Sequence, residues 1–511
     1  MKRDVVRLAL AGLLTSTATA AAGDLTALAT AVKSGGPAAA AAVARYRADV
    51  NTAEADGTTP LHWAAHAGDV AVVRALVQAG ARPDAANRYG MTPLALASRS
   101  GNAAVLNLLF EGGATLAAAD AALRDGQTAL MLAARAGRAD AVDTLLRHGA
   151  TVDAADARTG ATALMWAALD NRADAVRALA RGGAAVNARA ALTAFPHTPP
   201  GVIGDALEEG ISYVGQTVLP KGGWTALMYA AREGAGEAVA ALADTGADLN
   251  ATDPDGATAL SLAVINGHAR VALVLLERGA NPNIADRTGM TPLYAAVDLH
   301  TMQLGFGRPD PPPATIAGSV EMVKALLAHG ANPNARLTTR VLKRVYTGGD
   351  GKLGTGATPY MRAARAGDVR LMKILLAGGA DPSLTQDNGN SPLLLAAGLG
   401  YRGPIGGTEA MARDAIAFSL EQGADLNAVN AAGDTAVHVA ATTNFAESGT
   451  AAGSLALVKF LVERGARLDV RNKQGRTALE SVLRAKEHSA DIAAFLRERS
   501  PAPADRAEAL P

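Results

Sequence analysis

The chain contains no cysteine among its 511 residues. Disulfides, cysteine-ligated zinc, thiol chemistry and a lipid anchor on an N-terminal cysteine are therefore excluded. Aromatic residues make up only 4% of it, so apolar packing must come from Ala, Leu and Val. Neither sign of charge prevails, because 48 Lys and Arg face 48 Asp and Glu. No overall field then draws the chain to nucleic acid or to an anionic membrane. No stretch reaches the ~18 apolar residues of a membrane span. A Walker motif and a nucleophile elbow are also missing, and Asp253-Pro254-Asp255-Gly256 is long enough for a turn but not for an EF-hand loop.

What the sequence has is repetition. A Thr-(Pro/Ala)-Leu-type motif begins at Thr59, Thr92, Thr128, Thr162, Thr225, Thr258, Thr291, Thr358, Ser391, Thr435 and Thr477, most often 33 residues apart. A fixed period of that size marks stacked units, each too small to bury its own apolar face. Within the unit from Thr59, the Thr suits a helix N-cap and Pro60 the first helical position. Leu61, Ala64 and Ala65 then share one face, and Gly68 sits where a left-handed residue would stop the helix. Asn171 holds that place in a later unit. A second apolar run, Val72-Val73 with Leu76-Val77, has helical spacing and ends at Gly80, and turn residues follow. Ala pairs such as Ala133-Ala134 and Ala230-Ala231 keep the first helix thin enough for close stacking.

These units resemble ankyrin repeats. The residues that carry the resemblance are TPLHWAA at 59–65, TPLALAS at 92–98, TALMLAA at 128–134 and TAVHVAA at 435–441, each followed by a second helix ending in Gly-Ala. The likeness extends over roughly 24–498. It implies an all-α solenoid of helix-turn-helix units with β-turn fingers, about ten full repeats plus N- and C-terminal caps, with fingers and first helices lining a concave face. It also implies hydrogen bonding between repeats for His62. The order of features resembles that of exported bacterial ankyrin proteins: a signal-like start, an early Gly-Thr-Thr-Pro-Leu-His-Trp and a late Pro-rich insertion.

The ends and the irregularities set the organisation. Residues 1–22 read as an export signal, with Lys2 and Arg3, an apolar Leu8 to Leu14 and small Ala20-Ala21-Ala22, although Asp4 and Arg7 depart from the pattern. A periplasmic or secreted protein is expected on that reading. The alternative is an extra capping helix in a cytoplasmic one. Residues 24–55 read as a capping repeat, 56–498 as the array and 499–511 as a disordered tail. Departures from the period place insertions at about 187–222, 298–317, 335–356, 399–409 and 443–453. The first is irregular and apolar, with Phe195, Ile203, Ile211, Tyr213 and Val218. The Pro-rich second is expected to be extended, and the third is basic through Arg340, Lys343, Arg344 and Lys352. All could equally be solvated decoration.

Candidate binding residues follow from register. The residue seven places after each motif Thr reads His66, Arg99, Arg135, Leu169, Arg232, Ile265, Asp298, Arg365, Gly398, Thr442 and Arg484. A discontinuous basic stripe of this kind favours an acidic peptide or patch, because Arg pairs with carboxylates bidentately. Arg88, Tyr89, Arg287 and Lys473 are candidates at finger tips, and Trp63, Trp166, Trp224 and Tyr229 lie beside the motifs. His62 and His66 have metal-ligand spacing, but no Glu follows and no third ligand can be assigned. His148 and His329 suit helix C-termini. The expected function is a monomeric, non-catalytic scaffold that binds another protein, without cofactor or metal. The competing expectation is an accessory protein that closes its insertions at 187–222 and 298–317 over a small molecule or metal, and a hydrolase is the third.

Overall fold

The computed structural model describes residues 27–123, 126–192, 222–301, 313–339, 353–398, 408–442, 454–485 and 489–500. The export-signal segment 1–22 and the tail beyond residue 500 lie outside these, as do the inner parts of all five insertions, including Phe195, Tyr213, Arg340 and Lys343. The chain forms two compact units, residues 1–190 and 191–511. The division falls within the first insertion.

Each unit is built from one motif repeated. In the first, Thr59 precedes helix Pro60–Ala67, which Gly68 ends with φ 72°, and Asp69 caps helix Val70–Gln78 through the Val72 N–H. A Thr or Ser cap opens the first helix at nine of the eleven motifs, while the Thr59 and Thr435 hydroxyls meet a His ring instead. Thr92, Thr128 and Thr162 each accept a hydrogen bond from the backbone N–H three residues on, as do Thr225, Thr258, Thr291, Thr358, Ser391 and Thr477. Such a cap satisfies one of the orphan donors at the helix start. Asn171, with φ 56°, is the lone non-glycine with positive φ among the described residues, and it takes the stop position that Gly68 occupies earlier. Among the described residues there are no strands, only isolated bridges at Ala155–Thr162 and Thr252–Thr258.

Stacking follows from the composition of the two helices. First helices pack on first helices of the neighbouring repeats, as Pro60–Ala67 does on Pro93–Ser100 and Pro93–Ser100 on Ala129–Ala136. Second helices form the layer behind, where Val70–Gln78 lies against Ala103–Glu111, and Ala139–Arg147 against Ala173–Arg181. The Ala pairs at 64–65, 133–134, 230–231 and 440–441 are all buried, with Leu76, Leu109, Leu145, Leu242 and Leu275 filling the space beside them. Close approach of thin helices and filled Leu layers is what gives a core of this composition its density.

Two hydrogen-bond ladders tie the repeats, one of backbone groups and one with side-chain acceptors. At finger level, backbone N–H groups reach the preceding finger: Arg88 to the Asp56 carbonyl, Arg287 to Asp255, Asp387 to Thr355, Ala431 to Asn388 and Lys473 to Ala432. Below them a carboxamide or carboxylate in several repeats accepts from the backbone N–H just past the next Gly-Ala, as Asp153 does from Ala185, Asn250 from Asn281, Asn283 from Asn332, Asn334 from Asp381 and Asn427 from Arg467.

Three details differ from the sequence reading or lie beyond it. Residues 313–317, expected to be extended, form the start of helix Pro313–Ala328. A Pro at the first helical position loses no hydrogen bond and presets φ, so the proline run ends by starting a helix. The finger after Ala114 contains a further helix, Leu116–Ala122, capped by Thr115. In the third insertion, Leu337 and Leu353 are both buried, so its two ends belong to the core.

One buried group makes its own prediction. Tyr360 is 1% exposed and its hydroxyl has no hydrogen-bond partner among the described residues. Burial pushes the phenol up to about 12. Tyr360→Phe is therefore expected to raise stability by about 1 kcal/mol or more, since an unsatisfied buried hydroxyl is removed. The unfolded chain ionises Tyr near pH ~10 while the fold holds the proton, so stability falls as pH rises from ~10 toward ~12. Denaturant titrations across that range should show a shallower alkaline loss in the variant than in the parent.

Candidate functional site

The first-helix row is where the sequence places its candidates, and the Thr motif explains how they are presented. His62, three residues after its Thr, is fully buried. Its Nδ1 lies 2.7 Å from Thr59 Oγ1, and Nε2 lies 2.9 Å from the Met91 carbonyl of the next repeat. Burial lowers its pKa against the Met91 bond, which raises it. His438 repeats the arrangement with Thr435 and the Arg476 carbonyl, at 2.9 and 3.0 Å. Nδ1 of each His is thus tied to the Thr of its own repeat and Nε2 to the next repeat, and the second bond is the role the resemblance implied for His62. His66, one turn on, is exposed, and its pKa is lowered by desolvation and then by the Arg99 charge.

Positions four and seven after the Thr lie along this row, and consecutive repeats bring their side chains together. Arg135, at position seven, lies 4.7 Å from the ring of Trp166, at position four of the next repeat. Its Nε is also 3.2 Å from Asp170 Oδ2. Asp298, at position seven, sits 2.7 Å from Nε of Arg362, at position four, and Arg362 Nη2 donates to the Thr301 carbonyl at 3.0 Å. Flat aromatic faces hold other cations. Lys33 is 4.3 Å from the Trp63 ring centre, and Arg232 is 5.3 Å from that of Trp224, which itself packs edge-on against Tyr229. A guanidinium or ammonium held on a ring keeps its charge while losing conformational freedom.

The remaining candidates are placed unequally. Arg99 is half-buried, and desolvation lowers its pKa. Arg88 and Tyr89 are exposed at a finger tip, where Nη2 of the Arg approaches the Tyr hydroxyl at 2.5 Å and the guanidinium lies 4.8 Å from the ring centre. Arg287 is exposed and paired with Asp255 at 3.3 Å. Arg365 departs from the others at its register position. It is only 7% exposed, and its guanidinium bonds the Gly398 carbonyl of the following repeat. Its position in the sequence repeats Arg135, but the neighbour is Gly398 rather than an aromatic residue. His148 caps its helix and stacks on Phe110 at 3.8 Å.

One cluster not expected from the sequence has the residue types of a hydrolase. His300 Nδ1 is 2.7 Å from Ser319 Oγ, and Nε2 is 3.2 Å from Asp368 Oδ2. Ser319 is fully buried, so no substrate carbonyl can meet its oxygen. Asp368 caps helix Val369–Ala377. Burial opposes its ionisation, but hydrogen bonds from His300 and the Leu371 N–H outweigh this and hold the carboxyl below its ordinary range. The cluster joins three helices. Among the described residues no group of three or more His, Cys, Asp or Glu could hold a metal ion, and no helix is long and apolar enough to cross a membrane.

Family models for ankyrin repeats match along most of the chain. The chain matches the family model for ankyrin repeats (3 copies) over residues 4–120, 114–190, 207–286 and 227–303. It matches that for the single ankyrin repeat over 288–336, 355–387 and 432–473. Among solved structures, the crystal structure of the human ASB11 ankyrin repeat domain is 26% identical, with a TM-score of 0.38, covering 54% of this chain and 99% of that one. A search of curated proteins gives no match.

Proposed function

The chain belongs to the ankyrin-repeat family, and on that premise we propose that it is a monomeric, non-catalytic scaffold holding an acidic partner protein on its first helices and finger tips. Ankyrin repeats are in general protein–protein interaction modules. The observation that carries the finer reading is the fixing of outward-facing cations on rigid supports, of which Arg135 over Trp166 is the clearest. A cation already ordered on a ring loses little rotamer entropy when a carboxylate arrives, so more of the contact energy is realised as affinity. Finger tips such as Arg88-Tyr89 would add contacts that differ from repeat to repeat.

The test is capture of the native partner by crosslinking, followed by measurement of its affinity for the parent and for a triple variant with Arg99, Arg135 and Arg232 changed to Glu. Affinity is expected to drop by at least about tenfold, with a weaker salt dependence, because reversed charges repel what the originals attract. Unchanged affinity at matched circular dichroism would end the stripe reading. Export is proposed on the sequence of residues 1–22 alone. Sequencing the N-terminus of the mature protein tests it, and an N-terminus at Met1 in a cytoplasmic fraction would overturn it.

A further inference from the structure

Positions seven and four of consecutive repeats are filled by complementary bulk at the Arg135–Trp166 and Asp298–Arg362 steps. The step from the Thr435 repeat to the Thr477 repeat has two short hydroxyls there instead, Thr442 and Ser481. A cavity of about 270 Å³ opens between them, bounded also by Asp434, Gln474, Arg476 and Arg484. A second cavity of about 170 Å³ lies on the other side of Asp434 and Thr442.

The walls say what would fill the larger one. Ser481 is half-buried in the cavity wall and its Oγ has no hydrogen-bond partner among the described residues, so a turn about χ1 can bring its proton to an acceptor in the cavity without breaking a bond. Arg476 and Arg484 make no ion pair among the described residues. Thr442 Oγ1 donates to the His438 carbonyl at 2.8 Å, so only its lone pairs face other groups. Asp434 Oδ1 is occupied by the Asn472 carboxamide at 2.9 Å. Two cations and a free hydroxyl donor against a single engaged carboxylate call for an anion of one charge. A carboxylate neutralises the net single positive charge of two arginines and Asp434, whereas a doubly charged phosphoryl group would overshoot it.

We propose that this cavity receives a glutamate or aspartate side chain from the bound partner, held by Arg476 and Arg484 and by a hydrogen bond from Ser481. The proposal rests on the protein-binding reading above and names the chemistry recognised at one place in it. The step lacks its own filling group because the partner supplies it.

Arrays of neutral peptides, degenerate except for one central Glu, Gln, phosphoserine or Lys, test the proposal directly with the labelled full-length chain. Capture on Glu arrays is expected to exceed that on Gln arrays by at least about tenfold, since only the charged acceptor engages both arginines. Changing Arg476→Glu with Arg484→Glu should abolish the preference. Ser481→Ala, which removes the donor and adds no bulk, should reduce it severalfold at an unchanged circular dichroism spectrum. Equal capture on Glu and Gln overturns the carboxylate assignment and leaves the protein-binding reading standing. A Glu preference that survives both variants overturns the location, and stronger capture on phosphoserine than on Glu replaces carboxylate by phosphoryl. Capture on no array overturns the pocket and leaves the protein-binding reading to the crosslinking and triple-variant test above.

Discussion

Replacing Asp298 by Ala is expected to destabilise the unit formed by residues 191–511 by about 3–5 kcal/mol, because it removes one partner of a buried ion pair. Arg362 is 7% exposed. Its charge is balanced by Asp298 at 2.7 Å and eased by the Thr301 carbonyl at 3.0 Å. Replacing both partners by apolar residues, as in Asp298→Leu with Arg362→Met, should return stability to within about 1 kcal/mol of the parent, since neither charge then has to be desolvated. Denaturant unfolding of the two single variants and the double variant measures this as a coupling energy. A double variant as unstable as Asp298→Ala would show that the side-chain volumes, not the charges, carry the effect.

Leu145→Ala should cost about 2–5 kcal/mol by leaving a cavity in a layer that is otherwise filled. Leu145 is fully buried in helix Ala139–Arg147, which packs against Ala103–Glu111 on one side and Ala173–Arg181 on the other. Contacts in a stacked array run between neighbours, so the loss should be local in a way that a globular core would not allow. Amide hydrogen exchange should speed up in those three helices and remain near parental rates in helices of residues 359–377. Uniform acceleration across the chain would contradict nearest-neighbour stacking.

The fold was legible because each unit states its own boundaries. A Thr that caps, a Pro or Ala that starts, a Gly or Asn that stops and a paired Ala that keeps the helix thin are all local signals, and Asn171 is the clearest case. Misreadings arose where a local signal was outweighed or overlooked. The prolines before residue 313 read as extended chain, yet Pro313 begins a helix. Thr115 is as good a cap as Thr92, but its short helix Leu116–Ala122 lay in a stretch read as a finger. The candidate site was legible in part. Counting seven residues from each Thr finds Arg99, Arg135 and Arg232, but not what lies opposite them. The pairing of position seven with position four crosses from one repeat to the next, and between Asp298 and Arg362 it crosses two insertions, so no window along the chain contains it. The same holds for the burial of Arg365 against Gly398. The cavity beside Ser481 is defined by two side chains being small, which a search for conspicuous residues passes over.

The forward-reaching Asn and Asp ladder bears on how such a gene can change length. The bond from Asn250 to Asn281 spans 31 residues, while the corresponding one from Asn283 to Asn332 spans 49. The atoms that meet are the same in both cases, so the link is indifferent to what is spliced between its ends. Duplicating a whole unit by unequal crossover would leave every donor with an acceptor, and so would lengthening a loop. Trimming half a unit would strand one of each. Recombination can therefore add copies or loops to this scaffold without any compensating substitution in the helices, and selection can act on the additions alone.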